Sequence, residues 1–272
     1  MTTDQATKAA RFRELHERPE PLLLPNPWDA GTARLLAALG FEALATTSLG
    51  VANTAGRVRA SRQEILDNCA ELDRATALPV NADLENGFAD DPAEAATMIE
   101  AAARAGAVGA SIEDATGDRR DPIYGFGLAV DRIRAAVETA HGLPIPVVLT
   151  ARAESLFYGL GDLDGTIKRL QAFEEAGADV LYAPGLRTLD EMRAVVSSVG
   201  RPVNVVMGFA DPSITLEQLG EIGVRRVSIG GALSRLALKA FMDGARQMRA
   251  GRFGFVADLP PISALHEVFG PS

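Results

Sequence analysis

The stretch Val80-Asn81-Ala82-Asp83-Leu84-Glu85-Asn86-Gly87-Phe88 decides the fold, because an apolar run ends in two carboxylates and an amide instead of a simple polar turn. Side chains of a β-strand alternate between two faces, so Asn81, Asp83 and Glu85 are predicted to point the same way. The stretch therefore predicts a strand that presents charged groups at its carboxyl end.

Two further apolar runs end in the same manner. Residues 108–114 finish on Glu113 and Asp114, and residues 146–152 finish on Arg152 with Glu154 two positions later. The sequence thus gathers charge where strands end, which is the position of active-site groups in parallel α/β folds.

Strand-like and helix-like segments alternate eight times along the chain. The apolar strand candidates are residues 22–25, 43–48, 79–84, 109–113, 146–152, 179–183, 202–207 and 226–230. Stretches with Ala, Leu, Glu and Arg at a period of 3.6 begin near Asp29, Ser61, Asp91, Leu128, Asp162, Thr188, Thr215 and Ala232.

Eight βα units favour a closed parallel barrel over an open doubly wound sheet. No G-x-G-x-x-G phrase follows any of the strand candidates, and no Walker sequence occurs. We therefore expect a single (β/α)8 TIM barrel domain over residues 1–272, with its active site at the carboxyl-terminal mouth.

Local signals support the positions of the helices. Residues 61–64 read Ser-Arg-Gln-Glu, which is a capping box, and Asp91 precedes a proline at a first helical position. Gly106 and Gly177 each stand between two alanines just before a strand candidate, as left-handed helix stops do. These residues are predicted to have structural roles.

Composition limits the classes of partner. The 272 residues are 47% hydrophobic, which allows a sizeable core, and the net charge of −9 argues against nucleic acid or an anionic membrane. A small anionic substrate needs only local positive charge. The single cysteine, Cys69, excludes an internal disulfide and is predicted to be an inert buried thiol. Residues 1–20 lack the apolar core of a signal peptide, so we expect a soluble, cytoplasmic protein.

The C-terminal region, residues 251–272, is predicted to form an arm. Ile262, Leu265 and Phe269 recur at helical spacing, so the segment needs an apolar surface to cover. Their spacing leaves two alternatives open, packing on the chain's own barrel and docking on a neighbouring subunit.

Six phrases, taken in order and spacing, resemble the isocitrate lyase/phosphoenolpyruvate (PEP) mutase superfamily. They are Asn26-Pro27-Trp28-Asp29-Ala30, Thr47-Ser48-Leu49-Gly50, the stretch 81–88, Ile112-Glu113-Asp114, Ala151-Arg152-Ala153-Glu154 and Glu175-Ala176-Gly177-Ala178-Asp179. The resemblance implies a homodimer or homotetramer whose barrels exchange their last helix. It also implies a Mg²⁺ ion that holds a small α-keto or α-hydroxy acid.

The resemblance assigns roles to individual positions. Asp83 and Glu113 match acids around hydrated magnesium, and Glu85 is a third metal candidate. Arg152 matches an arginine that contacts a substrate carboxylate or enolate oxygen. The remaining candidates for substrate binding are Trp28, Ser48, Leu49, Gly50, Asn81 and Asn204, of which residues 48–50 match a carboxylate-binding loop.

Elementary chemistry agrees with these assignments. Magnesium prefers hard oxygen ligands and keeps several waters, so a few carboxylates can hold it through its hydration shell. The guanidinium of Arg152 offers a fixed fork to a planar carboxylate. The alternative is that Asp83 and Glu113 only form salt bridges with Arg152, which would leave uncompensated negative charge at the mouth.

The chemistry that such a site suits is cleavage of the bond next to a keto or hydroxy acid, with an enolate as product. Arg152, Glu113 and Tyr124 are the catalytic candidates. Tyr124 belongs to residues 115–127, which we interpret as a mobile lid over the mouth. Tyr124 could close on the substrate as a proton donor or as a packing residue.

The sequence departs from the superfamily pattern at several positions. The lid lacks the Lys-Lys-Cys-Gly-His phrase of isocitrate and methylisocitrate lyases, which disfavours both substrates because the proton-donating thiol is missing. Asn81 and Arg59 stand where acids are usual, so magnesium affinity is expected to be weaker or to depend on bound substrate. Pro184 replaces a histidine of the mutases and phosphonopyruvate hydrolases.

Three other functional interpretations stay open. One is carbon–phosphorus chemistry on phosphonopyruvate or phosphoenolpyruvate, and another is a keto-acid-binding barrel without catalysis. The third is a phosphate site on the backbone of residues 228–231. His16, His141 and His266 fall in helical or terminal regions and are predicted to be surface or interface residues.

Overall fold

Eight parallel strands form a nearly closed barrel in the computed structural model, which describes residues 4–270. The strands are β1 Leu22–Leu24, β2 Leu44–Ala45, β3 Val80–Asp83, β4 Gly109–Glu113, β5 Val148–Arg152, β6 Val180–Tyr182, β7 Val203–Val206 and β8 Arg226–Ser228. From β2 to β8 each strand pairs with the next in sequence, and β1 pairs with β8. The Ala45 amide donates to the Pro25 carbonyl at 2.9 Å, which links β2 to the end of β1. The predicted TIM barrel is therefore confirmed.

Helices follow the strands in alternation, as the periodicity predicts. They are α1 Gln5–Glu17, α2 Ala30–Ala38, α3 Ser48–Thr54, α4 Arg62–Ala75, α5 Pro92–Arg104, α6 Phe126–Gly142, α7 Leu163–Glu175, α8 Leu189–Ser198, α9 Leu216–Glu221, α10 Ala232–Arg249 and α11 Ile262–Phe269. Within residues 4–270, no helix has the length and apolar content needed to cross a membrane.

One local prediction is wrong. Residues 48–50 were predicted as a loop, but they form the first turn of α3. Thr47 begins this helix because its side-chain oxygen accepts a hydrogen bond from the Gly50 amide at 3.2 Å. The strand candidate 43–48 consequently shortens to β2.

The predicted caps and helix stops are confirmed. The Ser61 hydroxyl accepts from the Glu64 amide and the Glu64 side chain accepts from the Ser61 amide, so this capping box begins α4. Asp91 accepts from the first-turn amides of α5. Gly106 and Gly177 have φ of 100° and 101°, and a Cβ at Gly106 would lie 2.4 Å from Asp73.

Helix α1 closes the amino-terminal end of the barrel. Its Phe12 and Leu15 are buried in an apolar cluster with residues at the starts of strands, such as Val148 and Val180. A Cβ at Gly109 would lie 2.4 Å from Phe12 Cε1, so β4 begins with glycine where the Phe12 ring covers it. The barrel is therefore closed by helix α1 at the end opposite to the predicted site.

The C-terminal helix α11 lies against α2 of the same chain. Arg34 Nη1 donates to the Phe269 carbonyl at 3.0 Å, and the Phe269 ring reaches Gly31. The predicted helix is present, and both its exchange between subunits and the domain boundaries stay predictions. Cys69 is buried as predicted, and burial raises the pKa of its thiol to about 12.

Candidate active site

A cavity of about 580 Å³ opens among the carboxyl ends of the strands. This volume suits a small-molecule ligand. Eight of the residues predicted for the site line it: Ser48, Leu49, Asn81, Asp83, Glu85, Glu113, Arg152 and Asn204. The structure thus brings the polar strand ends into one cavity, as the parallel-barrel prediction requires.

Arg152 lies at the centre of a cluster of carboxylates. Its Nη1 is 2.8 Å from Asp83 Oδ1, and its Nη2 is 2.9 Å from Glu113 Oε2. Glu154 Oε1 accepts from both Nη2, at 2.8 Å, and Nε, at 2.9 Å. Three carboxylates therefore share one guanidinium, and negative charge is in excess when all three are ionised.

Burial and this crowding shift the ionisation of the cluster. Burial raises the pKa of Glu113 well above its usual range, and Arg152 opposes the shift only in part. Burial likewise raises the pKa of Glu154. Burial works against the charge of Arg152, but Glu154, Glu113 and Asp83 outweigh it and hold its pKa well above normal. The arginine stays charged while its buried partners compete for protons.

The second oxygen of Asp83 connects β3 to helix α3. Asp83 Oδ2 accepts hydrogen bonds from the Ser48 amide at 3.1 Å and the Ser48 hydroxyl at 2.9 Å. The Asp83 amide donates to Thr46 Oγ1 at 2.7 Å, which fixes the strand end beside α3. Ser48 therefore orients a carboxylate of the cluster and also lines the cavity.

Glu85 stands on a loop whose backbone is held in an unusual conformation. Glu85 and Phe88 have φ of 48° and 60°, a left-handed region that is uncommon for residues other than glycine. Arg132 of α6 is 1% exposed and donates to the carbonyls of Asn86, Ala89 and Asp90. The Glu85 carboxylate pairs with Arg59, and burial raises its pKa. The loop is thus fixed from behind by a buried arginine.

Residues 115–127, predicted as a lid, cover part of the mouth through Gly117 and Arg119. An antiparallel bridge joins Ala115 to Ile123, and the lid is tied to the neighbouring loop because Asn86 Nδ2 donates to the Thr116 carbonyl at 3.0 Å. The lid's mobility stays a prediction.

Three predicted site residues do not line the cavity. The Tyr124 hydroxyl donates to Asp90 Oδ1 at 2.5 Å and accepts from Asn86 Nδ2 at 3.3 Å, and its ring lies against Arg132. Gly50 of α3 packs against Trp28, because a Cβ at Gly50 would lie 3.0 Å from Trp28 Cβ. The Tyr124 hydroxyl is therefore bonded outside the cavity, and its role as a proton donor or a packing residue stays a prediction.

Several cavity residues were not singled out from the sequence. Tyr182 at the end of β6 is 5.1 Å from the Arg152 guanidinium, measured from its ring centroid, and burial raises its pKa. Phe157, Tyr158 and Phe209 form an aromatic rim, and Arg226 lies deeper in the cavity. Tyr182 shares the inward strand phase of Val180, a signal that could have identified it.

Ser228, Gly230 and Gly231 line the cavity, but two backbone amides of residues 228–231 are already bonded. Asn26 Oδ1 accepts from the Ile229 amide at 3.2 Å and from the Gly230 amide at 2.8 Å. Asn26 also donates to the Thr46 carbonyl, so it ties β1 to two other strand ends. These amides are therefore not available to a phosphate.

The histidine prediction is wrong for one residue. His16 is buried at the closed end of the barrel, whereas His141 lies at the surface beside Asp179. Burial lowers the pKa of His16 to about 3, so its ring is neutral at physiological pH. Packing of α1 against the barrel explains the difference, because helical spacing alone does not reveal which surface an N-terminal helix covers.

The acidic side chains of the cavity fit a divalent ion that keeps its water shell better than an ion that only protein atoms ligate. Among residues 4–270, no three acidic, histidine or cysteine side chains converge closely enough to ligate a metal directly. Asp83 and Glu113 bring excess negative charge beside Arg152, and Glu85 adds an acid at the same mouth. Magnesium commonly retains waters and takes only one or two carboxylates, which this arrangement can supply.

The fold and this site define an α/β barrel with a charged cavity at the carboxyl ends of its strands, where enzymes of this fold have their active sites. The family model described as phosphoenolpyruvate phosphomutase matches residues 12–249. The chain belongs to this family, within the PEP mutase/isocitrate lyase superfamily.

Individual relatives agree with the family assignment. A solved structure from Burkholderia cenocepacia J2315, described as a lyase/mutase, is 53% identical with a TM-score of 0.95, over 98% of this chain and 97% of the other. Oxaloacetate acetylhydrolase in complex with the product oxalate is 28% identical with a TM-score of 0.86, over 97% and 94%. Oxaloacetate decarboxylase from Pseudomonas aeruginosa is 28% identical over 88% of this chain and 85% of the relative.

Proposed function

We propose that this enzyme cleaves a carbon–carbon bond of a small α-keto or α-hydroxy dicarboxylic acid, as a lyase or hydrolase, through an enolate. Two similar proteins, oxaloacetate acetylhydrolase and oxaloacetate decarboxylase, carry oxaloacetate in their names. The observation that carries the proposal is the cluster of Asp83, Glu113 and Glu154 around Arg152 at the mouth of the cavity.

Arg152 is the group that would stabilise the developing oxyanion. Its guanidinium is always charged and fixed by Glu154, so it needs no reorganisation when the bond breaks. The ion pairs of Asp83 and Glu113 with Arg152 would weaken when a substrate oxygen approaches the guanidinium. Electrostatic stabilisation of this kind acts mainly in the transition state and therefore raises the rate.

Asp83, Glu85 and Glu113 would hold a Mg²⁺ ion through its water shell. When bound, the ion would polarise the carboxylate and keto oxygens of the substrate. Glu113 is the candidate for moving a proton, because burial raises its pKa well above its usual range and so favours the protonated form. The electron pair of the broken carbon–carbon bond stays on the enolate, which takes up the proton carried by Glu113 and leaves as the keto acid or carboxylic acid.

Substrate choice within the class follows from the lid. Residues 115–125 contain no cysteine or histidine, and the single thiol, Cys69, is buried on α4. Isocitrate and methylisocitrate are therefore disfavoured. Pro184 lines the cavity without offering a proton donor, so we do not favour carbon–phosphorus chemistry.

We also propose that the chain forms a homodimer or homotetramer. Leu236, Phe241 and Met248 of α10 are 62%, 73% and 54% exposed, and Phe253 and Ile262 further on are 58% and 72% exposed. An apolar surface of this extent is typical of protein interfaces. Exchange of α11 between subunits would leave α2 covered by a partner's helix.

The experiment that tests the proposed function is a turnover screen of the purified protein. Oxaloacetate, pyruvate, α-ketoglutarate, malate, methylisocitrate and phosphonopyruvate are each incubated with and without magnesium, and the products are separated and identified. We expect carbon–carbon cleavage of an oxaloacetate-like acid that requires magnesium. Magnesium-dependent thermal stabilisation without any product would favour the binding protein instead, and turnover of phosphonopyruvate alone would favour carbon–phosphorus chemistry.

A further inference from the structure

Arg226 is a buried cation on the floor of the same cavity. It begins β8, lines the cavity and is only 2% exposed. Its Nε donates to Asn204 Oδ1 at 2.9 Å, and its Nη2 donates to Thr150 Oγ1 at 2.9 Å. Nη1 lies 3.4 Å from His16 Nε2. All three partners are uncharged.

The partner at Nη1 cannot supply a negative charge. His16 Nδ1 is 2.7 Å from the Phe12 carbonyl, which can only accept, so Nδ1 carries the ring proton. His16 Nε2 is then a neutral acceptor for Arg226. Within residues 4–270, no aspartate or glutamate forms an ion pair with Arg226, in contrast to the three that surround Arg152.

The charge on Arg226 is therefore uncompensated. Burial lowers its pKa to about 9, so the group is still protonated at neutral pH. An isolated buried charge is costly, and proteins ordinarily pair it with an opposite charge. A guanidinium carries five N–H groups, and the three contacts above leave two of them without an acceptor among residues 4–270.

A second polar group in this cavity also lacks a partner. Asn81 is 3% exposed, lines the cavity and makes no side-chain hydrogen bond in the part of the chain described, residues 4–270. Unpaired polar groups inside a barrel indicate that something else completes the site. The two arginines of the cavity differ within residues 4–270. Arg152 forms ion pairs with three carboxylates, and Arg226 forms none.

We propose that Arg226 binds one carboxylate-sized anion at the floor of the cavity, in the first instance the second carboxylate of a dicarboxylic substrate. The inference rests on the proposed function for the identity of this ligand. A substrate between the two arginines would have its reacting end at Arg152 and its distal carboxylate at Arg226. Arg226 would then select dicarboxylic over monocarboxylic acids. A free halide ion could also pair with the guanidinium of Arg226, and a bromide titration distinguishes it from a carboxylate.

The test compares two ligands that differ by one carboxylate. Malate and lactate are titrated calorimetrically into the wild-type protein and into Arg226→Met, which keeps the length of the side chain without its charge. We expect wild type to bind malate about tenfold or more tightly than lactate, as expected for one charged hydrogen-bonded contact. In Arg226→Met the ratio should fall to about one. Arg225→Met is the matched control, since Arg225 instead donates to the Pro19 carbonyl outside the cavity, and should keep the wild-type ratio.

A second variant keeps the test decisive if Arg226→Met does not fold. Asn204→Asp places a carboxylate beside Arg226 Nε and supplies the missing charge from within. It should bind malate and lactate alike and unfold at a higher temperature than wild type. A wild-type malate preference in either variant would overturn the proposal.

Halide titration identifies the source of the anion. If bromide stabilises wild type but not the two variants, while malate and lactate bind equally, the site takes a free anion. If neither bromide nor the added carboxylate distinguishes wild type from the variants, the proposal is wrong. If wild type prefers malate and Arg226→Met does not, but no keto acid is turned over, the carboxylate site stands and the proposed function is wrong. If a keto acid is turned over but Arg226→Met keeps the wild-type ratio of malate to lactate affinity, the proposed function stands and the carboxylate site is wrong.

Discussion

Asp83 and Arg152 lie on strands separated by β4, and Asp83 Oδ1 is 2.8 Å from Arg152 Nη1 across the mouth of the barrel. The other oxygen of Asp83 is bonded to Ser48 of α3. The Asp83 carboxylate thus contacts both Arg152 and helix α3. A substitution at Asp83 is therefore the most direct test of the site.

Asp83→Asn should lower kcat/KM by about a hundredfold or more, because the amide keeps the shape but removes charge needed for magnesium and for Arg152. Steady-state kinetics on the substrate found by the screen measures the loss, and circular dichroism checks the fold. Asp131→Asn, at an exposed carboxylate paired with Arg134, is the control and should behave as wild type. Full activity of Asp83→Asn would reject the site.

Arg132→Met should destabilise the protein by about 3 kcal/mol, since the buried Asn86 carbonyl and the partly buried contacts at Ala89 and Asp90 lose their donor. The loop contains two residues with positive φ, so it should also relax and weaken magnesium-dependent activity. Urea unfolding gives the change in stability.

Arg134→Met is the matched control, because Arg134 is on the same helix but is half-exposed. Equal unfolding free energies for the two variants would show that Arg132 does not brace the loop.

The closed end of the barrel should become less stable in acid because of His16. Its pKa is about 3 when folded and about 6.5 when unfolded, so the unfolded chain binds the proton first as pH falls. Stability is retained above pH 6.5 and is lost as pH drops toward 3. From pH 6.5 to 5, His16 should cost about 1.6 kcal/mol, because the slope rises toward 1.36 kcal/mol for each pH unit only below the unfolded pKa.

His16→Gln removes this titration, so the difference in unfolding free energy between wild type and variant should shrink by that amount over the same interval. His141→Gln, at the surface, supplies the comparison and should follow the wild-type curve. Parallel curves for wild type and His16→Gln would mean that the histidine is not buried in its neutral form.

Phe241→Glu should shift the oligomer toward monomer, because it puts a charge in the centre of the exposed apolar face of α10. Sedimentation velocity at several concentrations measures the effect. Leu216→Glu, on α9, changes an exposed leucine outside that face and should leave the oligomer intact. A wild-type protein that sediments as a monomer at all concentrations would contradict the proposed assembly.

The features that follow from local sequence were predictable. Alternation within a strand placed Asp83, Glu113 and Arg152 correctly at the mouth, and the Ser61 capping box fixed the start of α4. These properties depend on neighbours only a few residues away.

Long-range packing was not predictable in the same way. His16 and Arg226 are 210 positions apart and meet only because α1 closes the barrel. Asn26 accepts from the Gly230 amide across 204 positions. The sequence therefore could not show that this amide is unavailable to a phosphate. The Tyr124 hydroxyl bonds to Asp90, and no local sequence pattern specifies that partner.

Closure of the amino-terminal end by Phe12 and His16 has a kinetic consequence. Because Phe12 closes the floor, the substrate and both products of the proposed cleavage would pass through the mouth, so the fragment nearer the lid would leave before the deeper one. A fragment retained near Arg226 would then occupy the cavity alone after the first has gone. Product release from a cavity closed at one end is expected to be ordered, with the deeper product leaving last. That product should then inhibit competitively with respect to the substrate acid.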